Sequence, residues 1–237
     1  MFTGLSAFPL TPITASGVDE QGFIKILARL TAAHVDSMGI LGSTGSYAYL
    51  TREQRKRIAI LAKQHAGDIP MMVCVGAVST DAILHLADDA QAAGANALLL
   101  PAVSYQSLHD EEVFSLFETV TRYVSVPVCI YDNPGTTHFT FSDELHGRLS
   151  SLKGIRSVKI PGVPDSPAAA TERVEALRQH LRPGVTIGIS GDAYAGLGLN
   201  AGCEVWYSVC GGLFPETAKQ ITEAAAAQDH ERVTALS

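Results

Sequence analysis

Gly154-Ile155-Arg156-Ser157-Val158-Lys159-Ile160-Pro161 is a short apolar run closed by a proline. It reads as a buried strand over residues 155–160, with Lys159 near its end. Alternation along the strand puts Ile155, Ser157 and Lys159 on one face. Lysine is seldom fully buried unless it is paired or used. The other five lysines (Lys25, Lys56, Lys63, Lys153 and Lys219) fall on polar helix faces or in a loop, whereas Lys159 is flanked by Val158 and Ile160. Three readings of this residue stand side by side: an exposed lysine at a strand end, a lysine paired to a carboxylate, and a desolvated amine. Desolvation would lower the pKa of that amine and free it to attack a carbonyl.

Outward from this run the chain alternates strand and helix. Strands are expected at residues 5–8, 38–41, 71–75, 97–100, 126–131, 155–160, 185–189 and 204–209. Helices are expected at 19–33, 54–65, 80–93, 110–123, 142–149, 168–181, 193–200 and 215–227. Thr51, Ser79 or Thr80, and Ser142 read as N-caps, and Pro215 opens the last helix at a position proline favours. Eight strands alternating with eight helices, without a long linker, predict a closed (β/α)8 TIM barrel of the α/β class. The first turn, Phe8-Pro9-Leu10-Thr11-Pro12, is not the Gly-rich turn of a doubly wound sheet, and Gly196-Leu197-Gly198 is too irregular for a dinucleotide fingerprint.

Composition narrows the function further. The chain has 237 residues and a net charge of −7. It has no basic run, which argues against nucleic acid or an anionic membrane as partner. No charged segment followed by an apolar core opens the chain, and no apolar run approaches ~18 residues, so neither a signal peptide nor a bilayer span is expected. Cys74, Cys129, Cys203 and Cys210 are far apart and fit reduced, buried thiols of a cytoplasmic protein better than disulfides or a metal site.

Reactive groups in such barrels gather at the C-terminal ends of the strands. Those ends carry Gly42-Ser43-Thr44-Gly45-Ser46, Tyr131-Asp132-Asn133-Pro134-Gly135-Thr136-Thr137, Lys159 and Ser190-Gly191-Asp192. The first loop offers backbone N–H groups and two hydroxyls, a cradle for a carboxylate and equally a tight turn. Tyr131 shares a face with Cys129 and, on a neighbouring strand, could meet Lys159. A cradle, a phenol and a desolvated lysine in one barrel mouth suit an amine catalyst acting on 2-oxo acids. The lysine would form an imine, so neither metal nor cofactor is called for.

These motifs, in this order and spacing, resemble the pyruvate-dependent class I aldolase family of N-acetylneuraminate lyase and dihydrodipicolinate synthase. The similarity runs from Leu5 to about Ala227. It implies that Lys159 forms the Schiff base with pyruvate and that Tyr131 relays protons. It also implies that Ser43 and Thr44 bind the pyruvyl carboxylate, Ser43 touching the tyrosine hydroxyl. Gly45, Thr136 and Gly191 would complete the substrate-binding set. Pyruvate or another 2-oxo acid and an aldehyde would be the partners, in a cytoplasmic homo-oligomer, dimer or tetramer. Residues 1–227 would form the catalytic barrel, and residues 228–237 the start of a shortened helical C-terminal extension.

The chain departs from the family pattern at several positions. Thr136, followed by Thr137 and His138, stands where the synthase keeps an arginine for its second substrate's carboxylate. Ser46 replaces a glutamate, and Val103-Ser104-Tyr105 stands in the region of the synthase's paired tyrosines. Ser43 in place of threonine is the lyase-side choice. The expectation is therefore aldol cleavage or condensation of 4-hydroxy-2-oxo acids. Four alternatives remain beside it. They are a dehydratase of a sugar-derived 2-oxo acid, a true dihydrodipicolinate synthase, a catalytically impaired 2-oxo-acid-binding member, and an unrelated barrel that binds phosphate at Gly211-Gly212.

Overall fold

Eight parallel strands close into a barrel in the computed structural model, which describes residues 2–237. In chain order the barrel strands are β1 (Gly4–Ala7), β4 (Ser37–Ile40), β5 (Met71–Cys74), β6 (Ala97–Pro101), β7 (Val128–Tyr131), β8 (Ile155–Ile160), β9 (Thr186–Ile189) and β10 (Val205–Ser208). Each pairs with the next, and β1 closes the ring by pairing with both β10 and β4. A two-stranded hairpin, β2 (Ile13–Thr14) and β3 (Gly17–Val18), lies outside the barrel.

The helices ring the strands. They are α1 (Glu20–Ala32), α2 (Arg52–His65), α3 (Thr80–Ala92), α4 (Asp110–Tyr123), α5 (Pro134–Thr137), α6 (Asp143–Ser150), α7 (Pro167–His180), α8 (Ala195–Asn200), α9 (Cys210–Leu213), α10 (Pro215–Ala226) and α11 (His230–Leu236). Their starts follow local chemistry. Thr51 and Gln54 form a reciprocal capping box on α2, and the Ser79, Ser142 and Ser166 hydroxyls accept first-turn N–H groups of α3, α6 and α7. Each long helix buries one apolar stripe against the sheet, such as Phe23, Leu27 and Leu30 on α1. The strands are buried on both faces, as a sheet covered by helices requires.

The barrel interior is filled by aromatic rings that two glycines make room for. A Cβ on Gly39 would lie 2.2 Å from the Phe8 ring, and one on Gly188 would lie 2.2 Å from the Tyr207 ring. Those rings meet edge-to-face, with centroids 5.9 Å apart. Below them, the Tyr207 hydroxyl lies 2.6 Å from Ser157 Oγ, which accepts from Thr186 Oγ1 at 2.9 Å. At the opposite end, acidic side chains fasten strand starts to helices. Asp36 accepts from Leu5 N at 2.8 Å and from Lys219 Nζ at 2.7 Å. Glu204 accepts from Ile187 N at 2.9 Å and from Arg178 at 2.7 Å.

The four cysteines are free; Cys74, Cys129 and Cys203 are buried and Cys210 is half-buried. Among the described residues, no helix is long and apolar enough to cross a membrane.

Candidate active site

The register of the sheet sets Tyr131 directly beside Lys159, and both side chains project to the barrel mouth. Lys159 is 6% exposed. Its Nζ lies 4.1 Å from the Tyr131 ring centroid and 5.1 Å from that of Phe8. Two π faces are thus the immediate neighbours of the amine. Among the described residues, no carboxylate forms an ion pair with it. Of the three readings of this residue, the exposed lysine and the carboxylate-paired lysine do not hold.

The loop after β4 brings hydroxyls to the same place. Ser43 Oγ lies 3.1 Å from the Tyr131 hydroxyl. The loop turns tightly: Ser46 N donates to Ser43 O at 3.0 Å, and Leu41 and Ser46 both adopt left-handed backbone at φ 60° and 61°. Gly45 is buried behind the turn, where a Cβ would sit 2.9 Å from Leu41 Cα. Arg55 braces the arrangement from outside. Its guanidinium donates to the Cys74 and Gly76 carbonyls at 2.9 and 2.8 Å and lies over the Tyr47 ring.

Lys159, Tyr131 and Ser43 line a cavity of about 240 Å³ together with Phe8, Thr44, Asn133, Ser190, Gly191 and Tyr207. Of the residues expected from sequence, Lys159, Tyr131, Ser43, Thr44 and Gly191 meet there. Gly45 supports the loop without lining the cavity. Thr136 is exposed on α5, with its hydroxyl bonded to the Asn133 carbonyl at 3.4 Å. His138 is exposed at the left-handed end of α5, and Tyr105 is exposed on its loop. A larger cavity of about 830 Å³ lies on the flank, between α7, α8 and α11, but it is mostly apolar and contains no lysine.

Asn133 was not singled out by the sequence, yet its Nδ2 donates to the Tyr131 hydroxyl at 3.0 Å. Phe8 and Tyr207 were also missed; their one signal is an aromatic residue close to the end of the first and last strands. Asp192, by contrast, turns inward on the protein itself. Its carboxylate accepts from Trp206 Nε1 at 3.1 Å, Ser208 Oγ at 3.0 Å and Cys210 N at 2.8 Å. Gly211 N donates to Ser208 Oγ and Gly212 N to Val209 O. The N–H groups that the phosphate reading requires at Gly211-Gly212 are therefore already bonded within the chain.

A second buried cluster stands directly behind the site. Asp132, the residue after Tyr131, faces outward to α6, where its Oδ2 lies 3.5 Å from His146 Nε2. His146 is fully buried and stacks on Phe141 with ring centroids 5.1 Å apart. Burial pushes the Asp132 carboxyl up to about 7, with Asp143 adding to the rise and Arg173 opposing it. Burial pushes His146 down to about 4, with Arg173 adding to the fall and Asp143 opposing it.

The family model described as the dihydrodipicolinate synthetase family matches residues 1–237. A 4-hydroxy-tetrahydrodipicolinate synthase of Desulfotalea psychrophila is 28% identical over 239 residues, covering 99% of this chain and 77% of that protein. The crystal structure of a dihydrodipicolinate synthase from Agrobacterium tumefaciens matches with a TM-score of 0.95 at 46% identity, covering 99% of this chain and 79% of that one. A chloride-inhibited dihydrodipicolinate synthase from Acinetobacter baumannii, complexed with pyruvate, matches with a TM-score of 0.90 over 100% of this chain and 80% of its own; at 22% identity this likeness shows the shared fold. The chain belongs to the dihydrodipicolinate synthetase family, a family of class I aldolase-type lyases and synthases.

Proposed function

We propose that this protein makes or breaks a carbon–carbon bond next to pyruvate through an imine on Lys159. The observation that carries the reading is the buried Lys159 amine, which has no carboxylate partner among the described residues and lies 4.1 Å over the Tyr131 ring. In this scheme the hydroxyls of Ser43 and Thr44 hold the substrate carboxylate, and Gly191 bounds the opposite wall without a side chain. Lys159, as the neutral amine, adds to the ketone carbon. One proton from its nitrogen and the proton of Tyr131 leave with the ketone oxygen as water. An iminium and a tyrosine phenolate remain. In the cleavage direction the phenolate takes the proton of the C4 hydroxyl. The C3–C4 bond breaks, its electrons flow into the iminium, and an aldehyde and the enamine of pyruvate result. Protonation at C3 and hydrolysis return the lysine.

The walls of the cavity bear on the second substrate. Lys159 is the one basic side chain among the residues lining it; the rest supply hydroxyls, an amide, glycine and apolar surface. Such a lining favours an uncharged, hydroxyl-bearing aldehyde over one with a second carboxylate, which would be desolvated without a cation. Thr136 stands outside the lining, at the start of the exposed face of α5, where the far end of a longer substrate would emerge. The same reading takes the enzyme to be a cytoplasmic homo-oligomer, with residues 1–227 as its catalytic unit and the segment from residue 228 as an added helical element.

The test is imine trapping. Pyruvate and borohydride should leave a pyruvate-derived mass on the peptide bearing Lys159, and Lys159→Ala should abolish it. A folded wild type that yields no adduct refutes the reading. A panel of aldehydes then tests the partner: faster turnover of a carboxylate-bearing aldehyde than of neutral hydroxyaldehydes would refute the substrate class.

A further inference from the structure

We propose that Asn133 is a positioning residue that makes Tyr131 a proton carrier, by donating its amide N–H to the phenol oxygen. This rests on the imine reading above. The Asn133 side chain has left its local role. Asn133 occupies the N-cap position of α5, immediately before Pro134. An asparagine there ordinarily turns its oxygen to a backbone N–H of the first turn. Here it makes no such bond. The turn is held by the Asn133 carbonyl instead, which accepts from Thr136 N, Thr137 N and Thr137 Oγ1, each at 3.0 Å. The backbone is fixed and the side chain is released, and Nδ2 reaches the Tyr131 hydroxyl at 3.0 Å.

This contact has a chemical consequence. The phenol oxygen has two polar neighbours, Asn133 Nδ2 at 3.0 Å and Ser43 Oγ at 3.1 Å. A carboxamide nitrogen gives a hydrogen bond and cannot take a proton. With that donor in place, the proton of Tyr131 points at Ser43 or into the cavity, where the chemistry needs it. Once the proton has left, the donor stabilises the phenolate, because a hydrogen bond to the charged form favours that form. Tyr131 must pass through the phenolate each time the imine forms. The phenolate then takes a proton from C3 of bound pyruvate, and the C–H electron pair moves into the iminium to give the enamine.

Pyruvate alone is a sufficient probe. In deuterated water, exchange of its methyl protons reports the imine-to-enamine step and is read by proton NMR. N133D keeps the size of the side chain and its suitability as an N-cap but removes the donor. N133A removes the donor without adding charge, and is read the same way if N133D does not fold. Exchange should slow about 10- to 100-fold. The pD at which the rate reaches its plateau should rise, while the yield of borohydride-trapped adduct on Lys159, read after trapping has run to completion, should match that of the wild type. Unchanged exchange rates and pD profiles in folded variants that still form the adduct overturn this inference and leave the imine reading intact. A wild type that forms no adduct overturns both.

Discussion

Replacing Asp132 with asparagine should stabilise the protein, by an amount that grows with pH. The carboxyl is raised by folding from 3.8 to about 7. Between those values the folded protein keeps a proton that the unfolded chain has lost. The folded state thus binds more protons, and stability falls as pH rises through this window. The penalty from Asp132 is about 1.7 kcal/mol at pH 5 and about 4 kcal/mol at pH 8, so the gain of Asp132→Asn over wild type should increase by about 2.5 kcal/mol between them. His146 behaves in the opposite sense. It is lowered from 6.5 to about 4, so the unfolded chain binds the extra proton and stability rises with pH through that window. His146→Phe, which preserves an aromatic ring against Phe141, should therefore gain about 2 kcal/mol over wild type at pH 5 and nothing from ionisation at pH 8. From pH 4 to 6.5 the wild-type pair holds one proton in either state, on Asp132 when folded and on His146 when unfolded, and contributes almost no slope. Urea unfolding of the three proteins at pH 5 and pH 8 measures these differences. Packing changes do not depend on pH, so the change in the gain isolates ionisation. A gain for Asp132→Asn that is equal at both pH values, or larger at pH 5, would show that folding does not raise the Asp132 carboxyl.

Three other perturbations have definite outcomes. Gly188→Ala places a Cβ 2.2 Å from the Tyr207 ring and 2.5 Å from Val205, so the ring must shift off Ser157; thermal denaturation should show a loss of about 2–3 kcal/mol. Asp192→Ala strands three donors, Trp206 Nε1, Ser208 Oγ and Cys210 N, and should cost about 2–4 kcal/mol. Trp206 is the one tryptophan of the chain, so a change in intrinsic fluorescence should accompany that loss. Ser43→Ala should still form the adduct on Lys159 once pyruvate is raised to saturation, while slowing methyl exchange about 10-fold even there, and an unchanged exchange rate at saturation would remove Ser43 from the relay.

The fold was legible because its signals are local and repeated. The helix Asp110–Tyr123 and the strand Ile155–Ile160 have the bounds their apolar patterns predict. Thr51, Ser79 and Ser142 cap the helices they were read to cap. Where strand ends differ, backbone chemistry explains it: the run from Val126 was read as strand, but Pro127 has no N–H to give, and β7 begins at Val128. The hairpin Ile13–Thr14 with Gly17–Val18 and the single-turn helices α5 and α9 are too short to show a period. The candidate site was legible to the extent that Lys159, Tyr131, Ser43 and Thr44 line one cavity, because the first two stand at strand ends and the other two in the loop that follows β4. The destination of a polar side chain was not. Asn133 appears in the sequence only as one residue of the Tyr131-Asp132-Asn133-Pro134-Gly135 motif, and Asp192 after Ser190-Gly191 reads as part of the mouth. One turns to a phenol and the other to an indole, contacts that sequence neighbours do not specify.

The contact between Ser43 and Tyr131 carries a consequence for the whole barrel. Ser43 follows β4 and Tyr131 ends β7, and β5 and β6 stand between those strands in the sheet. A bond of 3.1 Å across that separation exists only because the sheet curves back on itself. The same holds for Lys159, whose two aromatic neighbours come from the adjacent strand β7 and from Phe8 beyond the end of β1, on the far side of the ring. The polar relay and the surroundings of the amine are therefore set by barrel closure rather than by any one loop. A substitution that loosens closure, such as Gly188→Ala, whose Cβ displaces the Tyr207 ring at the base of the cavity, should slow pyruvate exchange as well as lower stability. Among folded variants of this kind the two losses should rise together. A variant that opens the β9–β10 contact while leaving exchange unchanged would show that the mouth is positioned by its loops alone.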